Sequence, residues 1–202
     1  MGIYEIDGVV PVVHPEAFVH PEAVLIGDVI IGAGSYIGPL ASLRGDFGRI
    51  TIGAGANVQD TCVVHCFPGA DCIVEDDGHI GHGAVLHGCT IRSGALVGMH
   101  AIVMDGVDVG ERALVAAGSF VRAGFVVPPE MLAAGNPAEI VRELDAETLA
   151  WKANGPRVYQ ELARRSLATL REVTPLTEPE PDRPRVSTGK DVSVPLHEFR
   201  NR

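Results

Sequence analysis

Residues 91–127, IRSGALVGMHAIVMDGVDVGERALVAAGSFVRAGFVV, decide the fold. An aliphatic anchor recurs at every sixth position, and a small residue stands four positions after most anchors. Helices need apolar spacings of three and four, and half-buried strands need alternation, so neither explains a period of six. The anchors of this stretch are Ile91, Val97, Val103, Val109, Val115 and Val121.

The same period extends towards the N-terminus. We interpret each hexad as a short strand and a corner of a solenoid, in which the anchor points inward. Three hexads make a coil, and stacked coils pair as parallel strands about 4.8 Å apart. The sequence therefore predicts an all-β, parallel β-helix. Its earlier anchors are Val19, Leu25, Ile31, Ile37, Leu43, Ile52, Val58, Val64, Ile80 and Leu86.

The hexad register breaks between residues 43 and 52, 64 and 80, and 86 and 91. We expect each break to be a loop extruded from a corner, and loops on a rigid scaffold often carry function. The longest predicted loop, residues 66–79, joins three histidines.

Three segments are predicted along the chain. Residues 1–127 form the β-helix with an N-terminal lead-in, because the hexads stop at Pro128. Residues 128–174 form a helical segment that packs on the β-helix, with Asp145 as a helix cap. Residues 175–202 are rich in proline and charge, and we expect an extended or disordered tail.

Hexad counting places two of the histidines together. His65 follows anchor Val64, and His87 follows anchor Leu86, so both occupy the same hexad position. If the loop absorbs four residues, the two imidazoles stack on one face of adjacent coils, close enough to share a metal ion. His82 lies at another position, so a three-histidine site predicts a homotrimer in which His82 meets the other two of a neighbouring copy.

Composition excludes several partners. The chain has 16 basic and 26 acidic residues, a net charge of -10, which disfavours nucleic acid and anionic membranes. We find no long apolar run and no signal peptide, and expect a cytoplasmic protein. We expect free thiols at Cys62, Cys66, Cys72 and Cys89, and unrelated surface histidines at His14, His20, His79, His100 and His197.

Several motifs carry a family resemblance: RGD at 44–46, NVQD at 57–60, GH at 81–82, VLHG at 85–88 and GNPA at 135–138. On these motifs the chain resembles the gamma-class carbonic anhydrase-like family, and within it the proteins of phenylacetate degradation. The resemblance implies left-handed coils, a trimer, and zinc (iron or cobalt being alternatives) held by His65, His82 and His87 across subunit interfaces.

The resemblance also implies roles for other residues. Arg44 and Asp46 would pair across the interface, Gln59 would lie close to metal-bound water, and Tyr159 would face the metal. These four residues are the candidate catalytic groups.

Two departures from the family pattern affect its proton relay. Phe47 stands in place of a family glutamate, and the loop after His65 is shorter than its acidic counterpart. Glu75, Asp76 or Asp77 are possible substitutes, and the sequence does not decide among them.

The predicted function is hydrolysis of CoA thioesters in phenylacetate degradation by zinc-bound hydroxide. Zinc lowers the pKa of bound water to about 7 and stabilises a developing oxyanion. Two alternatives stay open: carbonic anhydrase activity, and a non-catalytic accessory role in a CoA-enzyme operon of the carnitine type. A hexapeptide acyltransferase is less favoured, because such enzymes use one histidine base and no zinc.

Overall fold

A computed structural model describes residues 2–186 and 194–199 of the chain. They form a left-handed parallel β-helix of about seven turns, followed by helices. The hexads predict the parallel β-helix, and the family resemblance implies its left hand. Each turn has three short strands, so the solenoid is a prism with three faces.

Face 1 is a parallel stack that ends in one antiparallel strand. The residue before each anchor on this face points outward, while the anchor points into the prism. Its strands are β3 (Phe18–Val19), β5 (Tyr36–Ile37), β7 (Asn57–Val58), β10 (His79–Ile80), β13 (Leu96–Val97), β16 (Leu114–Val115), β19 (Met131–Gly135) and the antiparallel β20 (Ala138–Glu143).

Faces 2 and 3 share two long strands, β4 (Val24–Ile31) and β6 (Ser42–Ile52), which continue around the corner between them. Face 2 adds β1 (Gly2–Tyr4), β8 (Val63–His65), β11 (Val85–His87), β14 (Ile102–Val103) and β17 (Phe120–Val121). Face 3 adds β2 (Val12–Val13), β9 (Cys72–Val74), β12 (Thr90–Ile91), β15 (Asp108–Val109) and β18 (Val126–Val127).

The core is the column of anchors inside the prism. Ile37, Val58, Ile80, Val97 and Val115, for example, are completely buried on face 1. The small residues at the corners are also buried, which confirms that they let the chain turn without a void. Burial of each aliphatic side chain stabilises the fold by about 1.5–3 kcal/mol, an upper estimate because the unfolded chain already buries some surface.

Two of the three expected loops are different in the structure. Residues 43–52 stay within the continuous strand β6, whose pairing with β4 shifts register near the corner. In the second break, Val74 is a further buried anchor on face 3, so residues 66–71 form the inserted loop and residues 75–78 are an ordinary corner. The predicted loop over residues 66–79 is therefore too long.

The C-terminal segment needs a second correction, because its first part is not helical. β19 continues face 1 in parallel with β16, and β20 then turns back along β19. Helices follow as predicted: α1 (Ala146–Lys152) and α2 (Asn154–Thr169). The Asp145 side chain accepts a hydrogen bond from the Thr148 backbone and so caps α1.

The helices return over face 1. α2 contacts β3, β5 and β7, and its Ala163 packs on Phe18 and Tyr36 beside Tyr159 and Leu162. The outward side chains of face 1 are thereby covered by the chain itself. No helix in the described ranges has the length and apolar character needed to cross a membrane.

Part of the predicted tail is described. Residues 175–186 contain no helix or strand, whereas α3 (Leu196–Phe199) is helical, which differs from the expected extended or disordered tail. The Trp151 indole donates a 2.8 Å hydrogen bond to the Val194 carbonyl, so the last described segment lies on α1. Residues 187–193 and 200–202 of the predicted tail lie outside the described residues.

Candidate functional site

Two separate groups of histidines occupy the solenoid. The first is the face-2 pair, His65 and His87, which are direct neighbours in the pairing of β8 with β11. His65 Nδ1 lies 3.2 Å from His87 Nε2. The placement predicted by hexad counting is therefore confirmed.

Carboxylates fix the outer nitrogens of the face-2 pair. His65 Nε2 donates to Asp46 Oδ1 at 3.0 Å, and His87 Nδ1 donates to Asp105 Oδ1 at 2.6 Å. A neutral imidazole has one donor and one acceptor nitrogen, so the two facing nitrogens both present lone pairs. A shared proton or a metal ion would relieve their repulsion.

Arg44 holds Asp46 in place. Its guanidinium donates to Asp46 Oδ2 at 2.6 Å. Burial raises the pKa of Asp46, but the hydrogen bonds from Arg44 and His65 outweigh it and hold that pKa below its usual value. The resemblance implied an Arg–Asp pair across an interface, whereas here the two residues pair within one chain.

Aromatic rings border the face-2 pair. The Phe47 ring lies 5.3 Å from the His65 ring, and Phe67 meets His87 edge-on at 5.0 Å. Phe47 and Phe67 are both more than half exposed. This side of the solenoid therefore presents an apolar rim around two polar rings.

The second group surrounds His82, at the corner after β10. His82 Nδ1 donates to Asp60 Oδ2 at 2.5 Å, and Asp60 occupies the same corner of the preceding coil. The hydrogen bond leaves His82 Nε2 as the acceptor nitrogen, 3.5 Å from the Tyr159 hydroxyl oxygen on α2. The backbone amide of His82 donates to Gln59 Oε1 at 3.2 Å, which fixes the corner.

Gln59 belongs to a buried polar network that sequence analysis missed. Its amide nitrogen lies 2.9 Å from Asn57 Oδ1 and 3.0 Å from His79 Nε2. Burial lowers the pKa of His79 to about 4, and the nearby charges of Lys152 and His82 act in the same direction. The interpretation of His79 as an unrelated surface histidine is therefore wrong, because α2 covers the face on which it stands.

A cavity of about 530 Å³ lies between face 1 and the helices. Its wall is largely aliphatic and aromatic, and its polar residues are those around His82 together with Lys152. Such a space suits a small molecule that is mostly apolar. Residues at its wall include Gln59, His79, His82, Leu114, Trp151 and Tyr159.

The predicted proton-relay acids lie elsewhere. Burial alone would raise the pKa of Glu75, but the hydrogen bonds that it accepts from Arg92 and Ser93 outweigh burial and hold that pKa below its usual value. Asp76 accepts from the Ala54 backbone, and Asp77 accepts from Gln160. They are engaged in structural contacts.

Within residues 2–186 and 194–199 of one chain, no three His, Cys, Asp or Glu side chains are grouped to hold a metal ion. His65, His87 and His82 can meet on one ion only across two copies. The metal role and the trimer both stay predictions.

Relatives match nearly the entire chain, although no family model does. A carnitine operon protein CaiE from Proteus sp. is 55% identical over 192 residues, which are 95% of this chain and 98% of the relative. The chain belongs to the CaiE family. A CaiE protein of Escherichia coli K12 is 53% identical over 193 residues, 96% of this chain and 98% of that protein.

Solved structures extend the CaiE comparison to hexapeptide-repeat transferases. A suspected acetyltransferase of Bacillus cereus superposes with a TM-score of 0.81 at 37% identity, covering 82% of this chain and 96% of that one. A hexapeptide transferase family protein of Anaplasma phagocytophilum superposes with a TM-score of 0.78 at 37% identity, covering 81% of this chain and 96% of that one.

These names correct the predicted activity. The sequence pointed to a metal-dependent thioesterase, with carbonic anhydrase activity possible, whereas the solved relatives of this CaiE family member are named as transferases. They indicate acyl transfer rather than hydrolysis or CO2 hydration. The phenylacetate assignment has no support either, because the sequence relatives are named for a carnitine operon.

Proposed function

We propose that this protein binds acyl-CoA thioesters and transfers their acyl group to a small acceptor. The observation that carries the proposal is the His82–Asp60 pair at the wall of the cavity beneath α2. The transferase names of two relatives at 37% identity support the reaction class. The CaiE relatives, which are named for a carnitine operon, support a place in carnitine metabolism.

His82 is the proposed general base. Asp60 holds the Nδ1 proton, so the lone pair of Nε2 is available on the side of Tyr159 and the cavity. His82 Nε2 takes the proton of the acceptor hydroxyl or amine as that atom attacks the thioester carbonyl. The carbon–sulfur bond then breaks, and the imidazolium returns the proton to the departing thiolate of CoA.

Tyr159 and Gln59 position the reacting groups. Burial of Tyr159 raises the pKa of its phenol, with Asp60 adding to the effect, so the hydroxyl stays protonated and can donate a hydrogen bond. Gln59 is only 2% exposed and holds the His82 backbone from the preceding coil. Both act without a proton leaving them.

The test uses the full-length protein, acetyl-CoA and a panel of small amines and alcohols that includes carnitine. Release of free CoA thiol that depends on an acceptor supports acyl transfer. His82→Asn should lower the rate by roughly 10²–10⁴-fold, the usual contribution of a general base. His100→Asn is the matched control, because His100 occupies the same corner one coil later and is exposed.

Two results would contradict the proposal. Equal loss in His82→Asn and His100→Asn would show that the corner matters only structurally. Binding of acetyl-CoA without transfer to any acceptor would favour the non-catalytic accessory role in a CoA-enzyme operon instead.

Zinc, or iron or cobalt, is a second proposal for the face-2 pair. The donor set fits a metal, because two facing lone-pair nitrogens lie 3.2 Å apart and each ring is oriented by a carboxylate. His82 of a neighbouring copy in a homotrimer would supply the third ligand. A bound metal ion would supply positive charge that polarises a nearby carbonyl group.

The two proposals compete for one atom. Asp60 occupies Nδ1 of His82, so His82 Nε2 can serve either as a base or as a metal ligand. Elemental analysis of protein purified with zinc or iron supplied distinguishes them. One metal per chain that disappears in His82→Asn favours the metal, whereas metal-free protein with full transfer activity favours the base.

A further inference from the structure

Lys152 differs from every other basic residue that the structure describes. The chain contains 14 arginines but only two lysines, Lys152 and Lys190. Arginine keeps its charge at all ordinary pH values, whereas a buried lysine can lose its proton and become a nucleophile. Lys152, the one lysine among the described residues, thus lies at a buried position where its amine can be neutral.

Lys152 ends α1 and is only 4% exposed. Its Nζ donates a hydrogen bond to the Gly94 carbonyl, and within the described ranges it makes no ion pair with a carboxylate. An unpaired buried ammonium is costly, so the charged form is disfavoured. Burial, helped by the nearby charge of Arg112 and opposed by that of Glu130, lowers the pKa of Lys152 to about 8.

Lys152 lies between two cavities. On one side it borders the 530 Å³ cavity that contains the His82 corner. On the other side it borders a cavity of about 330 Å³, whose wall includes Arg112, Arg157 and Gln160. Lys152 is therefore part of the wall of the same apolar cavity as His82, the proposed base.

We propose that Lys152 Nζ is an acyl-acceptor site, which a thioester bound in the apolar cavity modifies. The proposal rests on the binding of CoA thioesters proposed above. The neutral amine attacks the thioester carbonyl, the new carbon–nitrogen bond forms, and the carbon–sulfur bond breaks. The proton that leaves Nζ goes to the thiolate, so the products are an amide and free thiol.

Amide formation suits this environment. It replaces an unpaired ionisable group with a neutral one, so the cost of burying the charge disappears. The acyl chain remains in the apolar cavity, and one amide N–H can still donate to the Gly94 carbonyl. An occupied cavity then has less room for the next thioester, so the modification limits the activity of its own protein.

The experiment follows acetylation by mass spectrometry. Full-length protein is treated with acetyl-CoA, and separately with S-acetyl-N-acetylcysteamine, a small thioester that needs no CoA site. An arginine-specific protease yields residues 143–157 with Lys152 and residues 186–200 with Lys190. Lys190 is the internal control, and protein unfolded in guanidinium shows the intrinsic reactivity of both lysines.

We expect Lys152 to gain one acetyl group roughly tenfold or more faster than Lys190 in the folded protein at pH 7.5, because more of its amine is neutral. The preference should disappear in the unfolded protein. The titratable groups that face Lys152 are those of His79, Arg112 and Glu130. The pH dependence of the acetylation rate is therefore compared with that of Glu130→Gln, which removes the one carboxylate among them. Equal or slower acetylation of Lys152 in the folded state, with the small thioester, overturns the proposal.

The two proposals fail separately. If Lys152 is acetylated but no free acceptor is, the acyl-acceptor site is supported and the proposed acyl transfer to small acceptors is contradicted. If free acceptors are acylated while Lys152 stays unmodified, acyl transfer is supported and the acyl-acceptor site is contradicted. Lys152→Met, which leaves the 143–157 peptide uncut, should abolish its acetylation.

Discussion

The two histidine groups differ in what covers them. The face-2 pair stands on a side of the prism that the chain leaves open, with Phe47 and Phe67 exposed beside it. The His82 corner borders a cavity that the chain closes with its own helices. The same solenoid thus offers one pair of histidines whose proposed metal site would need another copy, and one corner that a single chain encloses.

The largest expected difference is in acyl transfer. His82→Asn should lower the transfer rate by roughly 10²–10⁴-fold, whereas His65→Asn should change it by less than about tenfold, because His65 borders no part of the cavity. Initial rates of CoA release measure both. If the two variants lose activity together, the separation of the two regions is wrong and a shared metal site is favoured.

The next prediction concerns the stability of the cavity region. The pKa of Lys152 is about 8 in the folded protein and 10.5 in the unfolded chain. The unfolded state therefore binds more protons between those values, and the free energy of unfolding should rise with pH there. Relative to Lys152→Met, the gain is about 3 kcal/mol over that window.

Chemical denaturation at pH 7, 8, 9 and 10 measures this gain. Differences between the parent and Lys152→Met cancel the titration of tyrosines and cysteines elsewhere. A constant difference across the window would show that Lys152 stays charged in the fold.

A smaller effect is expected at the face-2 pair. Asp105→Asn removes the carboxylate that orients His87, which should weaken metal binding by about 10–100-fold and leave acyl transfer intact. Competition with a chelator of known affinity measures the binding. Unchanged affinity would contradict a metal role for His87.

The smallest effect is expected for Tyr159→Phe. The lost hydroxyl removes one neutral hydrogen bond near His82 Nε2, worth about 0.5–1.5 kcal/mol, or roughly 2–10-fold in rate. Phe retains the ring contacts with Tyr36 and His79. A loss as large as that of His82→Asn would make Tyr159 a participant in proton transfer.

Hexad periodicity predicts the faces because each anchor must point into a narrow prism. It placed His65 beside His87, and the same counting pairs Asp60 with His82, since both pairs lie 22 residues apart. Val74 was missed because an inserted loop hides its register. The carboxylate partners could therefore have been found from spacing.

The cavity could not be found in this way. It exists because α2 lies over face 1, and hexads carry no information about where a later helix packs. His79 has the same hexad position as Phe18 and Tyr36, and only coverage by α2 makes such an outward position buried. The proposed reaction class was also beyond the hexad pattern, because it rests on the names of the relatives and on the His82 corner.

The four cysteines are natural probes of local opening in the solenoid. All are buried, three of them completely, and they fall between residues 62 and 89, within the coils that carry both histidine groups. Burial also raises the pKa of Cys62 and Cys66 to about 11, so their thiols are shielded and protonated at once. The rate at which a thiol reagent labels them therefore reports how often these coils open. A ligand that binds at either histidine group should lower the rate of thiol labelling.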